Sequence, residues 1–337
     1  MKERVKDVIK VGLLSFAHMH AYSYASALKA LPGVELVGIA DEDAVRGREA
    51  AARFGTEYVP DYEMLLARTL DAVVICSANA QHAELTIAAA KAGKHVLVEK
   101  PIATNVADAH RMIDACREAG VQLQVAFPVR YQPAVARVKA LIDQGIIGRV
   151  VAVKGTNHGQ MPGGWFIDRA QAGGGAVMDH TVHVVDLMRW FLGKEVISVY
   201  AEVGDSLLHP GLGIDDAGLL SMELEGGTFA TLDTSWSRPQ SFPVWGDVTM
   251  EIVGTGGVIS LDAFAQNVQV YSDVEGKASW ENWGDDMNVA LVRDFVESVR
   301  TGQPVKVTGH DGLKAMEVAL AAYRASAEGR TVRLAEL

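Results

Sequence analysis

The sequence predicts two parts: an α/β domain built on a doubly wound parallel sheet, and an α+β domain with a large, mostly antiparallel open sheet. Three observations carry this. Continuous apolar runs alternate with helical stretches up to Phe127. Between Ile197 and Val270 the pattern changes to strands that alternate with period two. The last stretch, roughly Asn288 to Glu328, returns to helix. Runs that are apolar on both faces belong to parallel sheets covered on both sides, and right-handed crossovers wind such sheets in two directions.

Each element follows in order. "VIKVGLLSF" reads as the first strand, and a helix spans Tyr22 to Leu31. "VELVGIAD" is the second apolar run, ending at Asp41. "EDAVRGREAAARFG" is helical and closes on Gly55; "DYEMLLART" is a short helix and "DAVVICSA" a strand. "QHAELTIAAAKAG" is a helix with a terminal glycine, "HVLVEKP" a strand stopped by Pro101, "NVADAHRMIDACREAG" a helix and "VQLQVAF" a strand. Next come the helix "PAVARVKALIDQG", the stretch "GRVVAVKGTNHG", and "GGGAVMDHTVHVVDLMRWFLG", a helix opening after three glycines. "VISVYAEV", "DAGLLSMELEGGTFATLDTSW", "VTMEIVGTGGVISLD" and "NVQVYSD" alternate as strands, with "GG" and "GTGG" as hairpin turns. The expected domains are 1–128 and 129–337, the closing helices (288–328) packing back toward the first domain.

Composition narrows the function. The 337 residues carry a formal net charge of -11, which disfavours nucleic acid and anionic membranes as partners. No apolar run reaches the roughly 20 residues of a membrane span. The charged start "MKERVKDVIKVGLL" leads straight into a strand and does not read as a signal peptide. The two cysteines, Cys76 and Cys116, fall in a strand and a helix and read as reduced thiols of a cytoplasmic protein.

Between the first strand and helix a dinucleotide-binding chain would carry Gly-x-Gly-x-x-Gly, whose backbone admits a pyrophosphate at the helix N-terminus. Here the residues are Ser15-Phe16-Ala17-His18-Met19-His20. Ser15 and Ala17 are the next smallest choices and still permit close approach. Asp41 ends the second strand, where a carboxylate accepts from adenosine ribose hydroxyls and repels a 2′-phosphate, which favours NAD over NADP. An aspartate there also serves as a helix cap, and Arg46 is a nearby cation that softens the preference.

"HVLVEKPIATN" makes the reading specific. A Glu-Lys-Pro closing a buried strand resembles the signature of the glucose-fructose oxidoreductase / inositol dehydrogenase (Gfo/Idh/MocA) family. "CSANAQHAELTIAAAKAGKHVLVEKP", "RYQPAVARVKALIDQGIIGRV", "GGGAVMDHTVHVVDLMRWFLG", "MEIVGTGGVISLD" and "HDGLKAMEVALAAYRASAEGRTVRL" resemble further family segments in order, so the resemblance covers nearly the whole chain. It implies a Rossmann-type first domain holding a nicotinamide cofactor and a sugar, inositol or polyol substrate against the second domain's sheet. It also implies hydride transfer between a secondary alcohol and a ketone. Cofactor contacts are then expected from Ser15, Phe16, Ala17, His18, Met19, Asp41, Ser77, Ala78, Asn79, His82, Glu99, Lys100 and Arg130.

The catalytic set that the resemblance implies is Lys100, Asp179 and His183. Lys100 ends a parallel strand, where an ammonium can stabilise a developing alkoxide. Glu99 either orients that lysine or binds the nicotinamide ribose. Asp179 and His183 lie four apart on one helical face, so the carboxylate can fix the imidazole's tautomer and suit it to take the alcohol proton. His180 lines the site. His18, Asn157, Trp165 and Asp168 are substrate candidates, with His158 beside them. His18 and His20 do not share a helical face, and no metal site is expected. The open sheet face suits a homodimer or homotetramer. Two alternatives stay open: a redox-neutral glycoside-cleaving enzyme of this fold, and a non-catalytic ligand-binding protein on the same scaffold.

Overall fold

The computed structural model describes residues 7–337; the charged start "MKERVK" lies outside the described residues. The first part alternates strictly: β1 (Ile9–Leu14), α1 (His20–Ala30), β2 (Val34–Ala40), α2 (Ala44–Phe54), β3 (Glu57–Val59), α3 (Tyr62–Leu66), β4 (Ala72–Ile75), α4 (His82–Lys91), β5 (His95–Glu99), α5 (Val106–Ala119) and β6 (Leu123–Ala126). The strands form one parallel sheet in the order β3-β2-β1-β4-β5-β6. The order reverses between β1 and β4, and ligands bind at such a switch point outside the carboxyl ends of the strands. β4 is fully buried, as its unbroken apolar run requires. α2 starts where the Asp43 side chain accepts from the N–H groups of Val45 and Arg46, and ends at Gly55 with φ 58°. The structure adds β3, which the sequence pattern does not show: only Val59 of its three residues is buried. It also starts α1 two residues earlier than expected, at His20.

The second part contains α6 (Pro133–Asp143), β7 (Val150–Gly159), α7 (Arg169–Ala172), α8 (Ala176–Leu192), β8 (Val196–Asp205), β9 (Asp215–Leu224), β10 (Thr228–Ser235), β11 (Gly246–Gly254), β12 (Gly257–Asp262), β13 (Asn267–Ser272) and β14 (Lys277–Asn282). The chain closes with α9 (Met287–Thr301), α10 (Gly309–Glu328) and β15 (Val332–Arg333). Seven strands form a mixed sheet, β12-β11-β7-β10-β9-β8-β15. Its pairs are antiparallel except β7 with β10. β13 and β14 form a separate hairpin.

Two compact units result. One comprises the chain up to Pro128 together with Met287–Leu313, and the other Val129–Asp286 with Lys314–Leu337. In the first, α9 packs on α1. In the second, α8 lies across one face of β7, β9 and β10, and its residues from Ala176 to Val182 are all buried. The helix comes very close: a Cβ at Gly218 would stand 2.4 Å from Val177, and one at Gly175 would stand 1.9 Å from the carbonyl oxygen of Asp215. Gly175, directly before α8, and Gly218 on β9 are therefore packing requirements.

Candidate active site

In the first unit the site is built on the carboxyl ends of β1, β2, β4 and β5. Ser15 takes φ 69°, the left-handed conformation that a glycine would adopt without strain, so the turn keeps the shape of a glycine turn. Its hydroxyl accepts the Ala17 N–H at 3.1 Å and donates to Glu42 at 3.2 Å. Asp41 braces the turn from beside it. Its carboxylate accepts from Phe16 N–H (2.7 Å), Asp43 N–H (2.8 Å) and Arg46 Nε and Nη2 (3.0 and 2.6 Å). Arg46 also meets Glu42, which accepts in turn from the Tyr62 hydroxyl. Sequence spacing finds Asp41 but gives no sign that Arg46 and Phe16 share it.

At the end of β4, Ser77, Ala78 and Asn79 are buried and lead into a short 3-10 turn. His82 has no exposed surface. Its Nδ1 lies 2.9 Å from the Pro101 carbonyl and its Nε2 3.3 Å from the Ser77 carbonyl, and burial lowers its pKa. This imidazole joins the ends of β4 and β5 from inside; it presents no face to a ligand, in contrast to the contact expected of it. Lys100 follows β5 and is 4% exposed, its N–H donating to Glu99 at 3.0 Å.

Glu99 is fully buried, and two histidines converge on it. His20 Nδ1 lies 2.8 Å from Oε1, and His18 Nε2 3.9 Å from Oε2. Burial works to raise this carboxyl, but the two imidazoles outweigh it and hold Glu99 well below the usual carboxylate range. The rings of His18 and His20 are 4.4 Å apart. They meet although they share no helical face, because His18 sits in the turn and His20 opens the helix. With Glu99 they bring donor atoms within 4.8 Å of one another, close enough to surround a metal ion. The hydrogen bonding opposes that use: His18 Nδ1 accepts the His20 N–H at 3.1 Å, so the neutral ring carries its proton on Nε2, the nitrogen a metal would need.

In the second unit the candidate residues gather on the first turns of α8. Asp179 Oδ2 accepts from the Trp236 indole at 3.2 Å and lies 3.2 Å from His180 Nε2. His180 Nδ1 is 3.0 Å from the Asn157 carbonyl on β7. His183, one turn on, is partly exposed. Asp215 caps the helix: it accepts from Gly175 N–H and Val177 N–H, both at 2.8 Å, and from the Tyr323 hydroxyl. Trp236, Asp215 and Tyr323 lie too far along the chain for sequence reasoning to connect them to α8.

The remaining candidates have local duties. Arg130 forms a buried two-bond pair with Asp186 of α8, at 2.6 and 2.5 Å, with its guanidinium over Trp190. Trp165 stacks on Phe166 with centroids 3.9 Å apart. Asp168 is exposed and caps α7, bonded to Ala170 N–H and to Gln171. His158 neighbours Asn157 but sits on the opposite face of β7, beside Asp233, Asp247 and Arg238. Period-two alternation separates these two residues.

Comparison with known proteins agrees with this architecture. Residues 8–127 match the model of the oxidoreductase family NAD-binding Rossmann fold, and residues 135–260 match the GFO/IDH/MocA C-terminal domain. The chain is 29% identical to myo-inositol 2-dehydrogenase of Thermotoga maritima, covering 98% of this chain and 99% of that protein. It is 28% identical to scyllo-inositol 2-dehydrogenase (NAD(+)) of Bacillus subtilis, covering 97% and 96%. Among solved structures, GenD2 from gentamicin A biosynthesis, in complex with NAD, superposes with TM-score 0.89 at 29% identity, covering 99% and 98%. No helix among the described residues is long and apolar enough to cross a membrane. The chain belongs to the GFO/IDH/MocA family of oxidoreductases and is a dehydrogenase whose Rossmann domain takes NAD.

Proposed function

We propose that this dehydrogenase interconverts a secondary alcohol and a ketone on a sugar, an inositol or a sugar-derived polyol. The observation that carries the reading is α8: an aspartate in its first turn, held by Trp236 and His180, with a partly exposed histidine one turn on. Relatives named as inositol dehydrogenases support the substrate class. Bound NAD supplies the redox chemistry. On the second unit, His183 accepts the alcohol proton on an imidazole nitrogen, and Asp179 stabilises the charge that this creates. On the first unit, the Lys100 ammonium donates to the reacting oxygen as negative charge grows there. Arg130 holds α8 through Asp186, and Asp168 caps α7. A second copy of the chain covers the open sheet face, where Tyr200, Leu219 and Phe229 are exposed.

The test is a screen of inositols, aldoses and polyols with NAD, read by NADH absorbance. Substrate-dependent NADH formation, lost in His183→Ala and Lys100→Met, is the expected result. Release of an aglycone from glycosides without accumulation of NADH would overturn it in favour of redox-neutral cleavage.

A further inference from the structure

The turn between β1 and α1 contains no glycine, and its backbone N–H groups are used within the protein. Phe16 N–H donates to Asp41 (2.7 Å), Ala17 N–H to Ser15 Oγ (3.1 Å), His18 N–H to the Cys76 carbonyl (2.9 Å) and His20 N–H to His18 Nδ1 (3.1 Å). The next two, of Ala21 and Tyr22, donate to the carbonyls of His18 and Met19. A pyrophosphate at a helix N-terminus is ordinarily held by such groups pointing outward. Here Met19 N–H is the one left over among Phe16 to Tyr22. A side chain must then supply what the backbone does not.

His20 stands where that donor is needed. It is the first residue of α1 and occupies the place of the motif's third glycine. Its Nδ1 is seated on the buried Glu99 carboxylate, which can only accept, so Nδ1 carries a proton. Its Nε2 bonds to nothing among the described residues, and the side chain is 29% exposed. Glu99 fixes the ring as a buried carboxylate fixes the imidazole of a hydrolase triad. Donation from Nε2 to a phosphate requires a second ring proton, so the ring would bridge carboxylate and phosphate as an imidazolium with charge-assisted bonds.

We propose that His20, oriented by Glu99, binds the pyrophosphate of NAD in place of the backbone N–H groups of a glycine turn. The proposal rests on NAD binding by this domain and is independent of the substrate.

Calorimetric titration of the full chain with NADH, ADP-ribose and adenosine tests it. ADP-ribose keeps the pyrophosphate and lacks the nicotinamide; adenosine lacks both. His20→Ala is expected to weaken NADH and ADP-ribose alike, by about tenfold or more, and to leave adenosine affinity unchanged. His20→Gln, which keeps a donor at the reach of Nε2, is expected to recover part of the loss. Unchanged ADP-ribose affinity in His20→Ala overturns the proposal, and so does a loss confined to NADH, which assigns His20 to the nicotinamide end. Equal loss of adenosine in both variants assigns His20 to the structure of the turn and also overturns it. A wild-type chain that binds neither NADH nor ADP-ribose overturns the cofactor assignment, and the proposal with it.

Discussion

Asp179 Oδ2 lies 3.2 Å from Nε2 of His180, and the same oxygen accepts the indole N–H of Trp236 at 3.2 Å. The carboxylate is therefore held from two sides at the start of α8. Asp179→Asn keeps the volume but removes the charge. It is expected to lower kcat by about a hundredfold or more while NADH affinity stays at the wild-type level. Steady-state kinetics beside an NADH titration checks both. A kcat within about twofold of wild type would remove Asp179 from the proton path.

Asp41 gathers two backbone N–H groups and Arg46. Asp41→Ala leaves all four of these hydrogen bonds without their acceptor. It is expected to cost about 2–3 kcal/mol in urea unfolding, with weaker NADH binding because Phe16 N–H loses its anchor. Asp41→Asn, which keeps one acceptor oxygen, is expected to cost less.

His158 and Asp247 give the second unit a pH signature. The bond to Asp247 raises His158 above its ordinary 6.5. Burial works to raise Asp247, but its bonds to His158 and Arg238 bring it down to about 2 from 3.8. A raised histidine contributes stability that is fully present below 6.5 and is lost as pH rises through its folded pKa. A lowered aspartate contributes stability that is present above 3.8 and is lost as pH falls toward 2. The melting temperature of the wild type should exceed that of His158→Gln most between these limits, and the gap should shrink on either side. A pH-independent gap would deny the pair its electrostatic part.

Gly175 admits no side chain, because an added Cβ would meet the Asp215 carbonyl oxygen at 1.9 Å. Gly175→Ala must displace the start of α8 and its cap. A destabilisation of about 1–3 kcal/mol is expected, with a fall in kcat, since Asp179 is in the first turn. Unfolding curves and kinetics on the same preparation read the two effects together.

The fold class and nearly every element follow from the sequence alone. These are written in local patterns: unbroken apolar runs for β4 and β5, and glycines at Gly55 and Gly120 where helices end. Glu-Lys-Pro and the spacing of Asp179 and His183 were legible for the same reason. β3 and β14 escaped because neither presents an apolar run.

Only the tertiary structure decided which groups these residues face. His20 reaches Glu99 across 79 residues, Trp236 reaches Asp179 across 57, and Asp215 reaches Gly175 across 40. It also turned Asn157 and His158, adjacent in sequence, to opposite faces of one strand, and placed His82 inside the protein. Hydrogen bonds act over about 3 Å, and periodicity constrains only near neighbours. A side chain's partners across long separations are therefore set when sheets and helices pack, and the charge and reach of the site are set with them.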